Sequence, residues 1–201
     1  MRSKKLTIAG IEALSMRVSF TGDLGWEIYV PTDQQVALFD ALMEEGKGYG
    51  IRLVGGRSLL SLRVEKGYGS WGREYSPEYW PHEVGLERLI KMSKSEFLGR
   101  DVWQELSEKT PREKLVLLSI DVTTADAHGG EPIFLKDGTP VGRVSSGAYG
   151  HTVQQSLALC FIKSEYVASG TEYDVAVLGI PHHARLLDAP PFDPEGQKLR
   201  N

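Results

Sequence analysis

Ser156-Leu157-Ala158-Leu159-Cys160-Phe161-Ile162-Lys163 is a β-rich run in which six apolar residues follow one another without a break. Five more short runs of the same character flank it, at 115–122, 132–135, 141–145, 172–177 and 184–187. Turn signals such as Lys136-Asp137-Gly138 and Ala168-Ser169-Gly170 separate them. Six short strands between residues 115 and 187 point to a small barrel or sandwich. Cys160, the single cysteine, lies inside the central run and reads as a buried, inert thiol with no internal disulfide. That usage fits a reducing compartment, and a cytoplasmic location is expected.

Upstream of Ser107-Glu108-Lys109-Thr110-Pro111-Arg112-Glu113-Lys114, a charged stretch that marks a domain boundary, the pattern is mixed. Alternation over 14–20 and again over 26–30, broken by Thr21-Gly22-Asp23-Leu24-Gly25, predicts two strands around a turn, or a strand and a loop. Little chain precedes the first of them to form the rest of a sheet. Thr32 or Asp33 is a suitable N-cap for a helix with Val36, Leu38, Phe39, Leu42 and Met43 on one side, stopped by Gly46, Gly48 and Gly50. From Arg57 to Glu65 the leucines and valine wrap most of a second helix, as in one buried on several sides. Short helices are expected at 83–90 and 94–106. The organisation is thus α+β over 1–108, followed by a small all-β barrel or sandwich over 112–201.

The 201 residues are 41% hydrophobic and 25% charged, the profile of a soluble globular protein. A formal charge of −4, from 23 basic and 27 acidic residues, excludes a basic nucleic-acid-binding chain. No stretch approaches the length of a membrane span. Walker, GxGxxG, GxSxG, HExxH and paired CxxC signatures are all missing, and the five histidines have no metal-ligand spacing, so no metal site is assigned.

Alternation places Trp26, Ile28 and Val30 on one strand face and Glu27 with Tyr29 on the other. A carboxylate beside aromatics at the mouth of a glycine turn suits paired N–H donors of a flat heterocycle. It equally suits a solvated position on the outer side of an edge strand. Arg57, at a helix start, opposes the helix dipole and so points to an anionic partner, or is a surface residue. Arg63 with Glu65 is expected to form an internal ion pair. Trp71, Tyr79 and Trp80 are expected to be core or loop-anchoring aromatics.

Three blocks in order resemble the glycine-cleavage T-protein (aminomethyltransferase) family. They are Thr21-Gly22-Asp23-Leu24-Gly25-Trp26-Glu27, Gly56-Arg57-Ser58-Leu59-Leu60-Ser61-Leu62-Arg63-Val64-Glu65-Lys66-Gly67 and Pro81-His82-Glu83-Val84-Gly85-Leu86. Gly142-Arg143-Val144-Ser145-Ser146-Gly147, with the run ending at Ile162, resembles the family's C-terminal barrel. The Gly25-Trp26-Glu27 wording, Trp71-Gly72 and Phe97-Leu98-Gly99-Arg100 are more similar to the folate-binding region of dimethylglycine and sarcosine dehydrogenases.

The resemblance implies a T-protein-like folate-binding domain, present in part, whose cofactor is tetrahydrofolate and whose chemistry is one-carbon transfer. Glu27 falls on the family's pterin-binding glutamate and Arg57 on its folate-site arginine; Phe20 and Trp26 complete the expected folate contacts. Phe20 stands where the family commonly has a tyrosine. Arg63, Glu65, Trp71 and Tyr79 are secondary candidates. The family's catalytic aspartate belongs to an N-terminal half with no counterpart in this sequence, so no catalytic residue is assigned. An N-terminal folate or flavin domain, or a partner chain, is expected to supply that half, with no nucleic acid or membrane among the partners. The alternatives are a non-catalytic folate-fold regulatory or interaction module, or part of a folate-dependent demethylase of another donor. Tyr68, where iron–sulfur-assembly relatives carry a cysteine after Lys66-Gly67, speaks against those relatives.

Overall fold

A computed structural model describes residues 2–200. The chain divides into two compact units, one running to Leu59 and joined by residues from Glu195 onward, the other Leu60–Pro194.

The first unit holds a three-stranded antiparallel sheet of β1 (Arg2–Ile8), β2 (Ile11–Arg17) and β3 (Glu27–Tyr29), in that order, followed by helix α1 (Gln35–Gly46). The segment before residue 14, expected to contribute little, is half of a hairpin. Ala9 and Gly10 both take positive φ, +50° and +80°, as a two-residue turn between twisted strands requires. That turn sets the register, so β2 ends at Arg17 and residues 18–20 form loop rather than strand. Along β2, Ile11, Ala13 and Ser15 are buried and the residues between them are not. Helix α1 forms in the expected region and ends at Gly46, the first of its glycine stops, but its N-cap is Gln34, after a 3-10 turn over Thr32–Gln34, and neither Thr32 nor Asp33 caps it. Of its apolar positions Leu38 is buried, whereas Val36, Phe39 and Leu42 are exposed.

Helix α2 (Gly56–Glu65) corrects the expectation of burial on several sides. Leu59 and Leu60 are exposed, and only Arg63, Val64 and Glu65 at its C-terminal end are buried. The helices expected at 83–90 and 94–106 shrink to two 3-10 turns, Pro81–Glu83 and Glu87–Leu89, and to α3 (Arg100–Ser107). Gly99 at φ +86° precedes α3, and the left-handed backbone there marks the helix start.

The second unit is dominated by a closed barrel. Its strands are β4 (Glu113–Ile120), β5 (Pro132–Phe134), β6 (Pro140–Gly150), β7 (Gln155–Lys163), β8 (Glu172–Val177) and β9 (Ile180–Leu187), arranged β4-β7-β6-β5-β8-β9 and closed by β9 on β4. All six strands anticipated from pattern are present, and closure selects the barrel over the sandwich. Leu118, Ile120, Ile133, Val141, Ala158, Cys160, Ile162, Tyr173 and Val175 fill the interior. Leu157, Leu159 and Leu117 face the other way and pack with Val64 of α2. The Phe161 ring is stacked on Tyr79, with centroids 4.0 Å apart. The central run therefore fails to alternate because β7 is buried on both faces. Burial holds the Cys160 thiol far above its ordinary pKa, as an inert core sulfur requires.

Candidate functional site

In the first unit the functional candidates sit at the end of β2 and on edge strand β3. Met16 pairs with Glu27 and Ser15 with Ile28, so Glu27 and Tyr29 share one sheet face and Trp26 lies toward the other. The Tyr29 hydroxyl donates to the Glu27 carboxylate, an interaction that raises the tyrosine pKa. Both groups are exposed. The loop leading into β3 is held by the Gly22 N–H donating to Ser19 Oγ at 3.0 Å. A Cβ on Gly25 would stand 3.1 Å from the Val18 carbonyl, so the backbone closes tightly just before Trp26. Trp26 is 55% exposed and lies under the Arg17 guanidinium, 5.9 Å from ring centre to Cζ. Arg57 is exposed, and its side chain forms no hydrogen bond or ion pair with any described residue. Phe20 is half-buried in the loop.

The second unit carries its polar chemistry inside. Arg63 and Glu74 are buried and paired at 3.4 Å. Glu74 also accepts from Ser70 N–H at 2.8 Å, Ser145 Oγ at 2.6 Å and Ser146 Oγ at 2.5 Å. Consecutive strand residues normally point to opposite faces. A register shift between Val144 and Ser146 bends β6 so that both hydroxyls reach one carboxylate. The expected Arg63–Glu65 pair is thus overturned. Along a helix, residues two apart diverge, and Glu65 instead accepts from the Thr152 N–H at 3.2 Å. Trp71, expected in the core or anchoring a loop, is 84% exposed. Trp80 lies 4.9 Å beneath the Arg112 guanidinium.

Glu83, also fully buried, accepts from Trp80 N–H and from Arg112 through Nε and Nη2 at 2.8 and 2.7 Å. Burial alone pushes both carboxyls upward. Arg112 at Glu83, and the three serine donors with Arg63 at Glu74, outweigh it and leave both pKa values below the ordinary carboxylate range. A carboxylate depressed by folding contributes stability above its unfolded pKa and loses it as pH falls. The thermal midpoint should be flat from pH 7 to about 5 and drop below that, and Glu83→Gln should flatten the acid limb. A midpoint that climbs on acidification from pH 5 to 3 would contradict this assignment.

Family models match both parts of the chain: the GCVT N-terminal domain over residues 1–94 and the glycine cleavage T-protein C-terminal barrel domain over residues 113–193. The chain belongs to the glycine-cleavage T-protein family. Mitochondrial dimethylglycine dehydrogenase of Homo sapiens is 32% identical over 191 residues, 94% of this chain and 22% of that protein. An aminomethyltransferase of Caldanaerobacter subterraneus subsp. tengcongensis is 32% identical over 184 residues, 92% of this chain and 49% of that protein. The crystal structure of aminomethyltransferase T of the glycine cleavage system from Bartonella henselae superposes with a TM-score of 0.81 at 24% identity, covering 90% of this chain and 50% of that one. The chain therefore spans about half the length of the aminomethyltransferases and about a fifth of the dehydrogenase. The barrel is the T-protein C-terminal fold. Trp26 ends the loop that leads into β3 and Glu27 is the first residue of that strand, while among the described residues Glu27 and Arg57 do not bond to each other. Glu74, Ser145 and Ser146, the densest polar cluster in the second unit, escaped the motif reading because only the bulge brings the serines together. The signal present in the sequence was a glutamate inside the glycine and aromatic loop.

Proposed function

We propose that this chain is the tetrahydrofolate-binding portion of a one-carbon transfer protein, handling an aminomethyl or methylene unit. The observation that carries the reading is Glu27, an exposed carboxylate on an edge strand with no cationic partner among the described residues. It is flanked by Trp26 and Tyr29 and stands inside the family block at 21–27. Such a group accepts paired N–H donors of a pterin, and the Tyr29 ring on the same strand face covers the heterocycle. Arg57, without an anion among the described residues, is suited to a folate carboxylate, and Phe20 and Trp26 supply apolar contact at the edge of the site.

The remainder of the site comes from polypeptide corresponding to the part of the relatives that this chain does not match, an N-terminal folate or flavin domain or a partner chain. Exposed Val36, Phe39, Leu53 and Val54, at 48–71% accessibility, supply apolar surface for that polypeptide. The sequence domains are placed at 1–108 and 112–201.

The test is calorimetric titration with 5-formyltetrahydrofolate of this chain and of a form extended by the family's N-terminal portion. Glu27→Gln should weaken binding about tenfold or more, since a hydrogen bond to a charged group is lost. As an exposed substitution it should change stability by less than about 0.5 kcal/mol. Unaltered affinity in the variant would remove Glu27 from the site. No binding by either form, with both folded, would sink the folate assignment.

A further inference from the structure

We infer that a cavity at the end of the β1–β2 hairpin, on the sheet face away from Glu27, binds a small polyanion through Arg2, Arg17 and Arg200. The cavity measures about 490 Å³ and is lined by these three arginines together with Val18, Ser19 and Gly25. Arg2 and Arg17 are direct cross-strand partners in an antiparallel pair. Like charges placed opposite one another in a sheet repel, and an anion between them removes the cost.

No carboxylate of a described residue forms an ion pair with any of the three. Arg17 Nη2 donates to the Leu199 and Arg200 carbonyls at 3.0 and 3.1 Å, and Arg200 Nη2 donates to the Glu195 carbonyl at 2.9 Å. The Arg2 side chain makes no hydrogen bond or ion pair with any described residue. Three arginines thus line one concavity in a chain whose net charge is −4. Ser19 Oγ accepts the Gly22 N–H, which leaves its own O–H to donate. The Arg17 guanidinium is backed by the Trp26 ring, which orients its planar fork. Planar forks with several N–H donors match phosphate or carboxylate oxygens bidentately, and more than one fork selects an anion carrying more than one such group.

Two sources offer that chemistry, a phosphorylated metabolite and a small oligocarboxylate. Inorganic pyrophosphate and citrate are therefore the probes, each titrated calorimetrically into the full chain at low and at high salt. Saturable binding that weakens with salt is expected for at least one of them. The preferred probe identifies the source. Arg2→Gln and Arg200→Gln should each weaken binding about tenfold while the thermal midpoint stays in place. Arg17→Lys, which keeps the charge but loses the fork, should weaken it as well. Should Arg17→Lys not fold, the Arg2 and Arg200 variants still decide. Glu27→Gln should bind pyrophosphate as the parent does, which separates this site from the folate reading. Absence of binding by either probe, or unchanged affinity in folded Arg2→Gln, would overturn the inference.

Discussion

Glu74→Ala is expected to lower the thermal midpoint of the Leu60–Pro194 unit by about 10–15 °C. The substitution strips a buried pair of its anion and leaves the Arg63 guanidinium, 1% exposed, facing Tyr68 O and Ser146 Oγ, neither of them charged. Breaking a buried pair from one side costs about 3–5 kcal/mol because the remaining ion is desolvated without compensation. The two partners are not equivalent. Arg63→Met should cost less, since Glu74 keeps the Ser70 N–H, Ser145 and Ser146 as donors. Replacing both residues by methionine should recover part of the loss, for an apolar pair of similar volume needs no solvation. Thermal melts of the three variants check this ordering. A Glu74→Ala midpoint within 3 °C of the parent, or a larger loss for Arg63→Met, would show that the pair is not what joins the loop at 67–75 to the bulge of β6.

How far these features could be read from residues alone varied with how local their causes are. Barrel strands were legible because each is a short β-rich run bounded by turn residues, a property of a few consecutive positions. Helix α1 was legible from its apolar spacing and glycine stops for the same reason, while its cap was not, because a 3-10 turn over Thr32–Gln34 takes up the residues read as caps. Its exposure was not, because amphipathic periodicity says which face is apolar and nothing about what covers it. The N-terminal hairpin was missed because Ala9-Gly10 is a weak turn signal, alanine being uncommon at positive φ. The Arg63 partner was misassigned because sequence proximity to Glu65 outweighed a contact made through a bend in a distant strand. Glu27 lies on the predicted face with Tyr29, and that alternation needed only the local pattern. Arg57 and Glu27 were joined by family resemblance alone, and no geometric rule in the sequence connects them.

Gly147→Ala should destabilise the barrel by about 2–3 kcal/mol or more, although it adds a single methyl group. A Cβ at this position would stand 2.2 Å from the Ala127 carbonyl oxygen and 2.7 Å from its carbon. These are backbone atoms and cannot rotate away. The segment carrying them is itself bonded to β6, with Gly130 N–H donating to Val144 O and Val144 N–H donating to Glu131 O at 2.8 and 2.9 Å. Relief would therefore require both chains to separate beside the bulge that aims Ser145 and Ser146 at Glu74. Gly142, at the other end of Gly142-Arg143-Val144-Ser145-Ser146-Gly147, meets the Phe161 carbonyl at 2.2 Å and should behave alike. Gly55→Ala is the control, with nothing within 4 Å of the added carbon and no positive φ. It should be neutral or stabilise by about 0.4–1 kcal/mol through the unfolded chain. Chemical denaturation of the three variants measures the contrast. If Gly147→Ala lost less than Gly55→Ala, close backbone approach would not explain the glycines of this block. If the expected order holds, the block marks the backbone packing that builds the bulge.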